Sequence, residues 1–468
     1  MAGLWQMELR RPARSIPFLV FSLAVIAAMI RAVDQPSIEL GVGGTDVSLV
    51  PADLFMAALA ALAVLRFLGR RSLPRPARAI TYAAAAFSLW LLVSSAANGF
   101  AAFVGAAKLL EYGLLGIGAV LFIQRRRQLW LFVALLVAIT TAAAVYALFD
   151  FFGAQPFGLL PHRSGSGGRQ ASFLGEHDFA AVATMALTFG LSAFYASSRR
   201  FRRLPVLAVV VGGIGVTLGA SIAGLLGLYL AIAALLALGA IRHELNRRNV
   251  AATALVAVLV TGGTLALRSN ELDAFMRFLG VQERSEVQDE NAASWSQRLI
   301  FVYIGGRVFL DNPVAGTGWH GNLPAEEFSR FVPDARARFP DQPARYFPPN
   351  EDGEYVPQQT YDQILFELGA VGALLFIVLG AATVRTAIGV GRRWPHGDLD
   401  GAAAYLPAAW VAALAGGLAG AALFGGLPQT AVFWLTLGVA ALTPSLMPPE
   451  AIAPRSVEGS KLVPTAAG

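Results

Sequence analysis

The chain has 468 residues, of which 56% are hydrophobic and 14% charged, and a formal net charge of +6 that is almost all arginine. A soluble protein of this length needs more charge to cover its surface, so the composition predicts a multi-span membrane protein. The absence of cysteine excludes disulfides, thiolate metal sites and a cysteine nucleophile.

Apolar stretches of membrane-spanning length recur along the whole chain and predict an all-α polytopic protein with about twelve transmembrane helices. The basic N-terminus leads into the first stretch without a small-residue cleavage site, so we expect a retained span rather than a signal peptide. The predicted spans are 16–33, 51–68, 80–97, 102–123, 129–151, 178–196, 204–220, 222–241, 250–267, 360–384, 402–424 and 427–446.

Arginine-rich linkers occur at every second connection, on the same side as the N-terminus. The positive-inside rule therefore predicts that both termini are cytoplasmic. The chain then divides into helices 1 to 9 (1–267), a large external loop (268–358), helices 10 to 12 (359–447) and a cytoplasmic tail (448–468). The tail is rich in Pro, Ala and Gly, and we expect it to be disordered.

The external loop between the ninth and tenth helices has about ninety residues and nine arginines among even more carboxylates. Residues 291–310 read as a helix that Asp311-Asn312-Pro313 ends, and the proline-rich stretch 333–357 predicts little regular structure. A second external loop, 153–177, carries Arg163 and Arg169 in a Gly/Ser-rich context. It is either a connector or a segment that orders on a ligand.

Ionisable residues inside predicted spans are candidates for function. Lys108 and Glu111 share one face of the fourth span, as an intrahelical pair or as the lining of a polar cavity for an anionic head group. Glu176, His177 and Asp178 begin the sixth span, where acidic residues also suit the helix dipole. Glu367 lies about two turns inside the tenth span, with no such explanation.

Several other kinds of site are disfavoured. The five histidines are scattered, so no metal site is predicted. Gly316-Thr317-Gly318 lacks the lysine of a phosphate-binding loop, and the excess of carboxylates in the long loop argues against nucleic acid. After these exclusions, the arginines are the candidate ligand-binding residues, because a guanidinium can bind phosphate oxygens bidentately. This chemistry suits a lipid-linked pyrophosphate at the outer membrane surface.

Three segments, in order, resemble the O-antigen ligase/polymerase family. Ser296-Gln297-Arg298-Leu299-Ile300 followed by residues 309–318 is similar to that family's Arg, helix and Asn-Pro-x-x-Gly-x-Gly pattern. Residues 358–372 resemble its His-Asn…Glu-Leu-Gly-x-x-Gly entry into the tenth helix. Residues 169–181 resemble its Arg…Gly-x-Phe…Asn…Ala stretch, and the predicted topology also matches.

The resemblance implies a metal-independent glycosyltransferase with a GT-C-like fold and no cofactor. It would move a glycan from an undecaprenyl-pyrophosphate-linked donor to a glycan or lipid acceptor hydroxyl, at the outer face of the bacterial inner membrane. Arginines would hold the pyrophosphate, and a histidine would serve the acceptor. The predicted catalytic residues are Arg298, Arg169, His320, Glu176, His177 and Gln358, and the predicted substrate-binding residues are Arg163, Arg268, Lys108, Gln359, Tyr361 and Glu367.

Two departures from the family pattern matter for the chemistry. Gln358 occupies the histidine position and cannot act as a base, and the arginine expected after Ser221 is missing. His320 and the cluster of Glu176, His177 and Asp178 are the nearest substitutes. A catalytically inactive family member acting in glycan assembly therefore stays open as an alternative.

A twelve-helix secondary transporter or flippase is the alternative from another class. Transporters with two comparable halves carry a long cytoplasmic loop between them, whereas here the long loop is external and off-centre. The sequence does not separate a polymerase from a ligase, and it leaves the sugar, the acceptor and the oligomeric state open.

Overall fold

The computed structural model describes residues 16–42, 45–69, 76–153, 170, 172–196, 203–269, 290–320, 325–348, 359–398, 400–420 and 427–448. Within these ranges the protein consists of α-helices, short 3-10 turns and one antiparallel hairpin. The prediction of a helical polytopic protein is confirmed apart from that hairpin. The predicted disorder of the tail falls on residues outside these ranges.

Every predicted span contains a helix, and the fourth contains two because the chain interrupts the helix at Tyr112. Within the described ranges, nine helical segments are long and apolar enough to cross a membrane, while α1, α8 and α15 are shorter apolar helices. The count of twelve spans therefore stays a prediction. The helices are α1 (Ile16–Ala28), α2 (Pro51–Leu68), α3 (Arg78–Ala97), α4 (Phe100–Glu111), α5 (Gly113–Phe122), α6 (Arg126–Phe151), α7 (Glu176–Tyr195), α8 (Arg203–Gly219), α9 (Ile222–Ile241) and α10 (Arg247–Leu267), followed after the long loop by α14 (Thr360–Arg393), α15 (Ala402–Leu418) and α16 (Leu427–Leu442).

Small residues allow these helices to approach closely, as is usual in membrane bundles. A Cβ atom on Gly416 of α15 would lie 2.4 Å from the Cα of Gly227 on α9, so neither position accepts a side chain without moving a helix. Helices α7 and α16 are the most enclosed spans of the bundle. The bundle is therefore a packed scaffold, and the hydrophobic core runs through it.

Two ionic networks join the helix ends on the side predicted to be cytoplasmic. Arg126 lies 2.8 Å from Asp398 and 3.5 Å from Asp400, which links α6 to the turn before α15. The buried Arg242 donates to Glu244 through Nη2 at 2.7 Å and to the carbonyl oxygen of Trp394 at 2.8 Å. Burial alone would raise the pKa of Glu244, but hydrogen bonds, of which that from Arg242 is the strongest, lower it overall.

The connector 34–50 contains two strands that the all-α prediction did not include. Strand β1 (Ile38–Val42) pairs antiparallel with β2 (Thr45–Leu49), with Ile38 opposite Leu49 and Leu40 opposite Val47. The alternation of apolar and polar residues on both sides of a glycine-rich turn favours such a hairpin. The C-terminal end of α1 is thus joined to the start of α2 by a small amphipathic sheet.

The long loop contains more regular structure than its prolines suggest. The predicted helix is confirmed as α11 (Glu290–Asp311). The expectation of little regular structure was wrong for the described part of the stretch 333–357, because α13 (Val332–Arg338) and a 3-10 turn (Ala344–Tyr346) form there; α12 (Ala325–Phe328) precedes them. One face of α11 packs against them through a separate apolar core, which explains the order. That core contains Ile300, Phe301, Ile304, Val308, Phe328, Phe331, Ala335, Tyr346 and Phe347.

Candidate active site

The motif after α11 forms a strap, residues 312–320, that lies against the first turns of α14. The amide of Ala370 donates to the carbonyl oxygen of Pro313 at 2.8 Å, and the amide of Gly318 donates to the carbonyl oxygen of Glu367 at 2.8 Å. These bonds satisfy backbone groups that a kink in α14 leaves without helical partners. The strap and the kink therefore form one structural unit.

Two glycines make this unit possible. Gly369 has φ 66° and ψ −170° inside α14, and Gly316 of the strap has φ 68°. Residues with a Cβ rarely adopt such angles. A Cβ on Gly369 would lie 2.3 Å from the carbonyl oxygen of Val314, and a Cβ on Gly316 would lie 2.3 Å from that of Glu367. Each glycine thus makes room for the segment that carries the other.

Helix α3 holds the strap from the other side. Ser94 donates through Oγ to the carbonyl oxygen of Ala315 at 2.7 Å, and Ser95 Oγ accepts the amide of Trp319 at 2.9 Å. Trp90 Nε1 donates to the carbonyl oxygen of Leu368 at 3.0 Å, next to the kink. A polar row on a membrane helix therefore fixes the strap and the kinked helix in one register.

Glu367 and His320 meet at the end of the strap. Glu367 is completely buried, and its Oε2 accepts the backbone amide of His320 at 3.2 Å and the Gln363 side-chain amide at 3.4 Å. The sequence singled out Glu367 and His320 separately, and the structure brings them together. Gln363 was missed, although its position four residues before Glu367 places both on one helix face.

The geometry of His320 defines which ring nitrogen can act as a base. Its Nε2 lies 3.0 Å from the carbonyl oxygen of Thr317, which can only accept, so Nε2 carries the proton and Nδ1 keeps its lone pair. Partial burial lowers the pKa of His320 below its ordinary value, and the Thr317 hydrogen bond only partly offsets this. The ring is therefore neutral near pH 7, with Nδ1 as a proton acceptor.

Arg298 lies on the face of α11 that turns towards α14. Gly305, seven residues later and on the same face, packs so closely on Phe366 that a Cβ there would lie 2.0 Å from its ring. Seven residues correspond to two turns, roughly 10 Å of helix. Arg298 itself is half-buried. The arginine that matches the family pattern thus lies about two turns before the glycine of α11 that packs on Phe366 of α14.

Arg268 reaches the turn where the family's eighth-helix arginine is missing. It is buried, and its Nη1 donates to the carbonyl oxygen of Ala220 at 2.8 Å, immediately before Ser221. The amide of Gln170 donates to the carbonyl oxygen of Leu218 at 3.0 Å in the same region. The Arg268 guanidinium at the end of α10 and the backbone of Gln170 therefore both come to the C-terminal end of α8.

Lys108 is held by two carboxylates. Its Nζ lies 3.3 Å from Glu111, as the spacing predicted, and 2.6 Å from Asp53 of α2, which the sequence did not reveal. Tyr112 donates to the other oxygen of Asp53 at 2.9 Å. The Lys108 ammonium is thereby balanced within the protein, which favours the structural alternative over an anionic head group.

The other predicted site residues are placed only in part. Tyr361 donates to the carbonyl oxygen of Ala415 at 2.9 Å and so ties α14 to α15, and Gln359 caps α14 without a side-chain hydrogen bond. Gln358, Arg163 and Arg169 lie outside the described residues, as do the side chains of Glu176 and His177. Their roles stay predictions.

Four other arginines of the loop are at its surface. Arg307 lies 2.8 Å from Asp334 and Arg330 lies 2.8 Å from Asp311, with both pairs exposed. Arg336 and Arg338 are exposed and stack over Phe347 and Phe339. In the part of the chain that the structure describes, no three His, Asp or Glu side chains cluster as metal ligands. Metal-independent activity stays a prediction.

A family model described as O-antigen ligase matches residues 207–377. The match begins in α8 and contains Arg268, α11, the strap, the kink and Glu367. A comparison with curated proteins finds no match. The matched region thus coincides with the unit built from the strap and the kinked helix. This chain, whose described residues include nine helical segments long and apolar enough to cross a membrane, is therefore similar to the O-antigen ligase family over residues 207–377.

Proposed function

We propose that the protein transfers a glycan from an undecaprenyl-pyrophosphate-linked donor to an acceptor hydroxyl at the outer face of the inner membrane. The similarity of residues 207–377 to O-antigen ligases supports glycan transfer in general and lipid-linked substrates. The observation that carries the finer proposal is the pairing of His320 with the buried Glu367 at the strap. It supplies a base where the family's usual histidine is replaced by Gln358.

On the acceptor side, His320 Nδ1 takes the proton of the attacking hydroxyl. A neutral imidazole with a lowered pKa is suited to this step near pH 7. Glu367 acts as a positioning residue, because it holds the backbone of His320 rather than its ring. Thr317 fixes the tautomer of His320, because its carbonyl oxygen accepts a hydrogen bond from Nε2–H.

On the donor side, Arg298 and Arg268 receive the pyrophosphate. A guanidinium binds phosphate oxygens bidentately and keeps its charge when it is partly desolvated. The position of Arg268 beside Ala220 supports it as a replacement for the missing arginine of the eighth helix. Arg169 is the third predicted ligand of the pyrophosphate, because it precedes Gln170, whose amide donates to the carbonyl oxygen of Leu218.

The reaction balances without a cofactor. The acceptor oxygen forms a bond to the anomeric carbon of the donor sugar while the bond from that carbon to the pyrophosphate oxygen breaks. The hydroxyl proton moves to His320, and the arginines stabilise the charge that develops on the departing lipid pyrophosphate. The acceptor is a second lipid-linked glycan in a polymerase and a different lipid in a ligase.

The test is an assay of the purified chain in vesicles with an undecaprenyl-pyrophosphate-linked oligosaccharide and candidate acceptors. We expect a longer or transferred glycan, release of the lipid pyrophosphate, and unchanged activity after exhaustive EDTA treatment. Activity that EDTA abolishes and Mg²⁺ or Mn²⁺ restores would contradict the metal-independent mechanism. Binding of the donor without any product would favour the inactive assembly partner.

A further inference from the structure

The hairpin of β1 and β2 has one apolar and one polar face. Ile38 lies opposite Leu49 and Leu40 opposite Val47, and alternation along the strands brings these four side chains to the same face. Glu39 and Ser48 form a cross-strand pair on the other face. This amphipathic sheet joins the outer ends of α1 and α2.

Among the described residues, three of the four side chains of the apolar face are exposed, and Val47 is half-buried. Ile38 is 67% exposed, Leu40 43% and Leu49 40%, a high exposure for three large apolar side chains on neighbouring positions. Exposed apolar patches of this kind mark an interaction surface. Something outside the described chain must cover this face.

The surroundings of the hairpin indicate lipid as that partner. Leu49 lies two residues before α2, and Leu54 in the first turn of α2 is 74% exposed on the surface of a membrane-spanning helix. Strand β2 also packs beside α4, whose first residue, Phe100, is an exposed aromatic side chain. Exposed apolar side chains on membrane-spanning helices therefore lie close to the hairpin.

The charges and the unpaired backbone groups of the hairpin determine how deep it can lie in the membrane. No lysine or arginine occurs between Arg31 and Arg66, so the hairpin offers no cation for an acidic protein partner. A two-stranded sheet leaves backbone groups unpaired along both edges, and these groups require water. The head-group layer provides both water for the edges and apolar contact for one face.

We propose that residues 38–49 form an interfacial anchor that lies on the outer leaflet with Ile38, Leu40, Val47 and Leu49 against the lipid. The anchor fixes the height of the outer ends of α1, α2 and α4 relative to the membrane surface. It is independent of the proposed glycan transfer, since none of its residues belongs to the site around His320.

The chain contains no cysteine, so single labels can test this directly. Leu40→Cys and its matched control Glu39→Cys are each labelled with bimane in vesicles of phosphatidylethanolamine and phosphatidylglycerol. Quenching is then measured with a doxyl lipid and with aqueous acrylamide. We expect the label at 40 to be quenched several-fold more by the doxyl lipid and less by acrylamide than the label at 39.

Two results would overturn the anchor. Equal acrylamide quenching at both positions means that the face is in water. A label at 40 that neither quencher reaches, and that becomes accessible when the protein is diluted in the membrane, means that a second copy covers the face. If Leu40→Cys does not fold, Leu49→Cys with Ser48→Cys as its control repeats the comparison on the other strand.

Discussion

Gly316 of the strap and Gly369 of α14 face each other across the junction of the two segments. Each has a positive φ, and each packs against a carbonyl oxygen of the other segment. The two residues are far apart in the sequence, yet a Cβ on either one would lie 2.3 Å from a carbonyl oxygen of the segment that carries the other. This junction places His320 over the buried Glu367. The glycines of the family's pattern thus allow the strap to pack closely against α14 in this chain.

Substitution of either glycine should disrupt the junction. We expect Gly369→Ala and Gly316→Ala each to cost about 2–4 kcal/mol, because the positive φ and the displaced carbonyl both oppose a Cβ. Gly380→Ala in the same helix meets nothing within 4 Å and should be neutral or slightly stabilising. Thermal unfolding of the purified variants compares the three.

The double variant Gly316→Ala/Gly369→Ala tests the interlock itself. Since both substitutions push the same two segments apart, the second should add less than it costs alone. Additive losses would show that the two glycines act independently.

The rate should depend on pH through His320. Partial burial lowers the pKa of this histidine below its ordinary value of 6.5, and catalysis needs the neutral ring. The rate should therefore rise with pH through an apparent pKa below 6.5 and then stay level around neutrality. Because the pKa of His320 is lower in the folded than in the unfolded state, its contribution to the free energy of unfolding is fully present above the unfolded-state pKa. That contribution is lost as the pH falls through the folded-state pKa. A rate that instead falls on raising the pH from 6 to 8 would contradict a basic role for His320.

Lys108 should matter for stability rather than for turnover. Lys108→Met leaves Asp53 and Glu111 without their cation, at a cost of about 1–3 kcal/mol because the cluster is only partly buried. Arg330→Met, which breaks an exposed pair with Asp311, is the control and should cost less than about 1 kcal/mol. An unchanged melting temperature for Lys108→Met with a raised KM for the lipid donor would restore the head-group alternative.

Arg298 should be distinguishable from the surface arginines of the same loop. If it receives the pyrophosphate, Arg298→Ala should slow turnover by about 10²-fold or more, and Arg298→Lys should recover only part of that. Arg336→Ala, an exposed side chain over Phe347, should be nearly silent. Normal turnover per folded molecule together with a lowered melting temperature for Arg298→Ala would show that the residue only stabilises the loop.

The helices were predictable because each one carries its own apolar stretch of span length. The hairpin was missed although residues 38–49 alternate in polarity around glycines, since short strands are easily read as a connector between spans. The helices α12 and α13 were missed because prolines suggested turns, whereas Pro333 stands in the first turn of α13, where proline is tolerated.

The site was predictable residue by residue but not as an assembly. Glu367 stood out because a carboxylate inside a span is unfavourable without a partner, and His320 because the usual histidine is absent. Their contact depends on the interlocked glycines and on Ser94 and Ser95 of α3, which come from a distant part of the chain. The ion pair of Lys108 with Asp53 was hidden for the same reason.

The most direct test of the mechanism is the rate of glycan transfer per folded molecule for His320→Asn, beside His243→Asn as a matched control. Asparagine at 320 keeps the backbone amide that Glu367 accepts, and asparagine tolerates the positive φ of the exposed His243. We expect His320→Asn to lose about 10²–10⁴-fold in rate, the usual contribution of a general base, while donor binding and melting temperature stay close to wild type. His243→Asn should be indistinguishable from wild type in all three. A rate near wild type for folded His320→Asn would contradict the assignment of this histidine as the base.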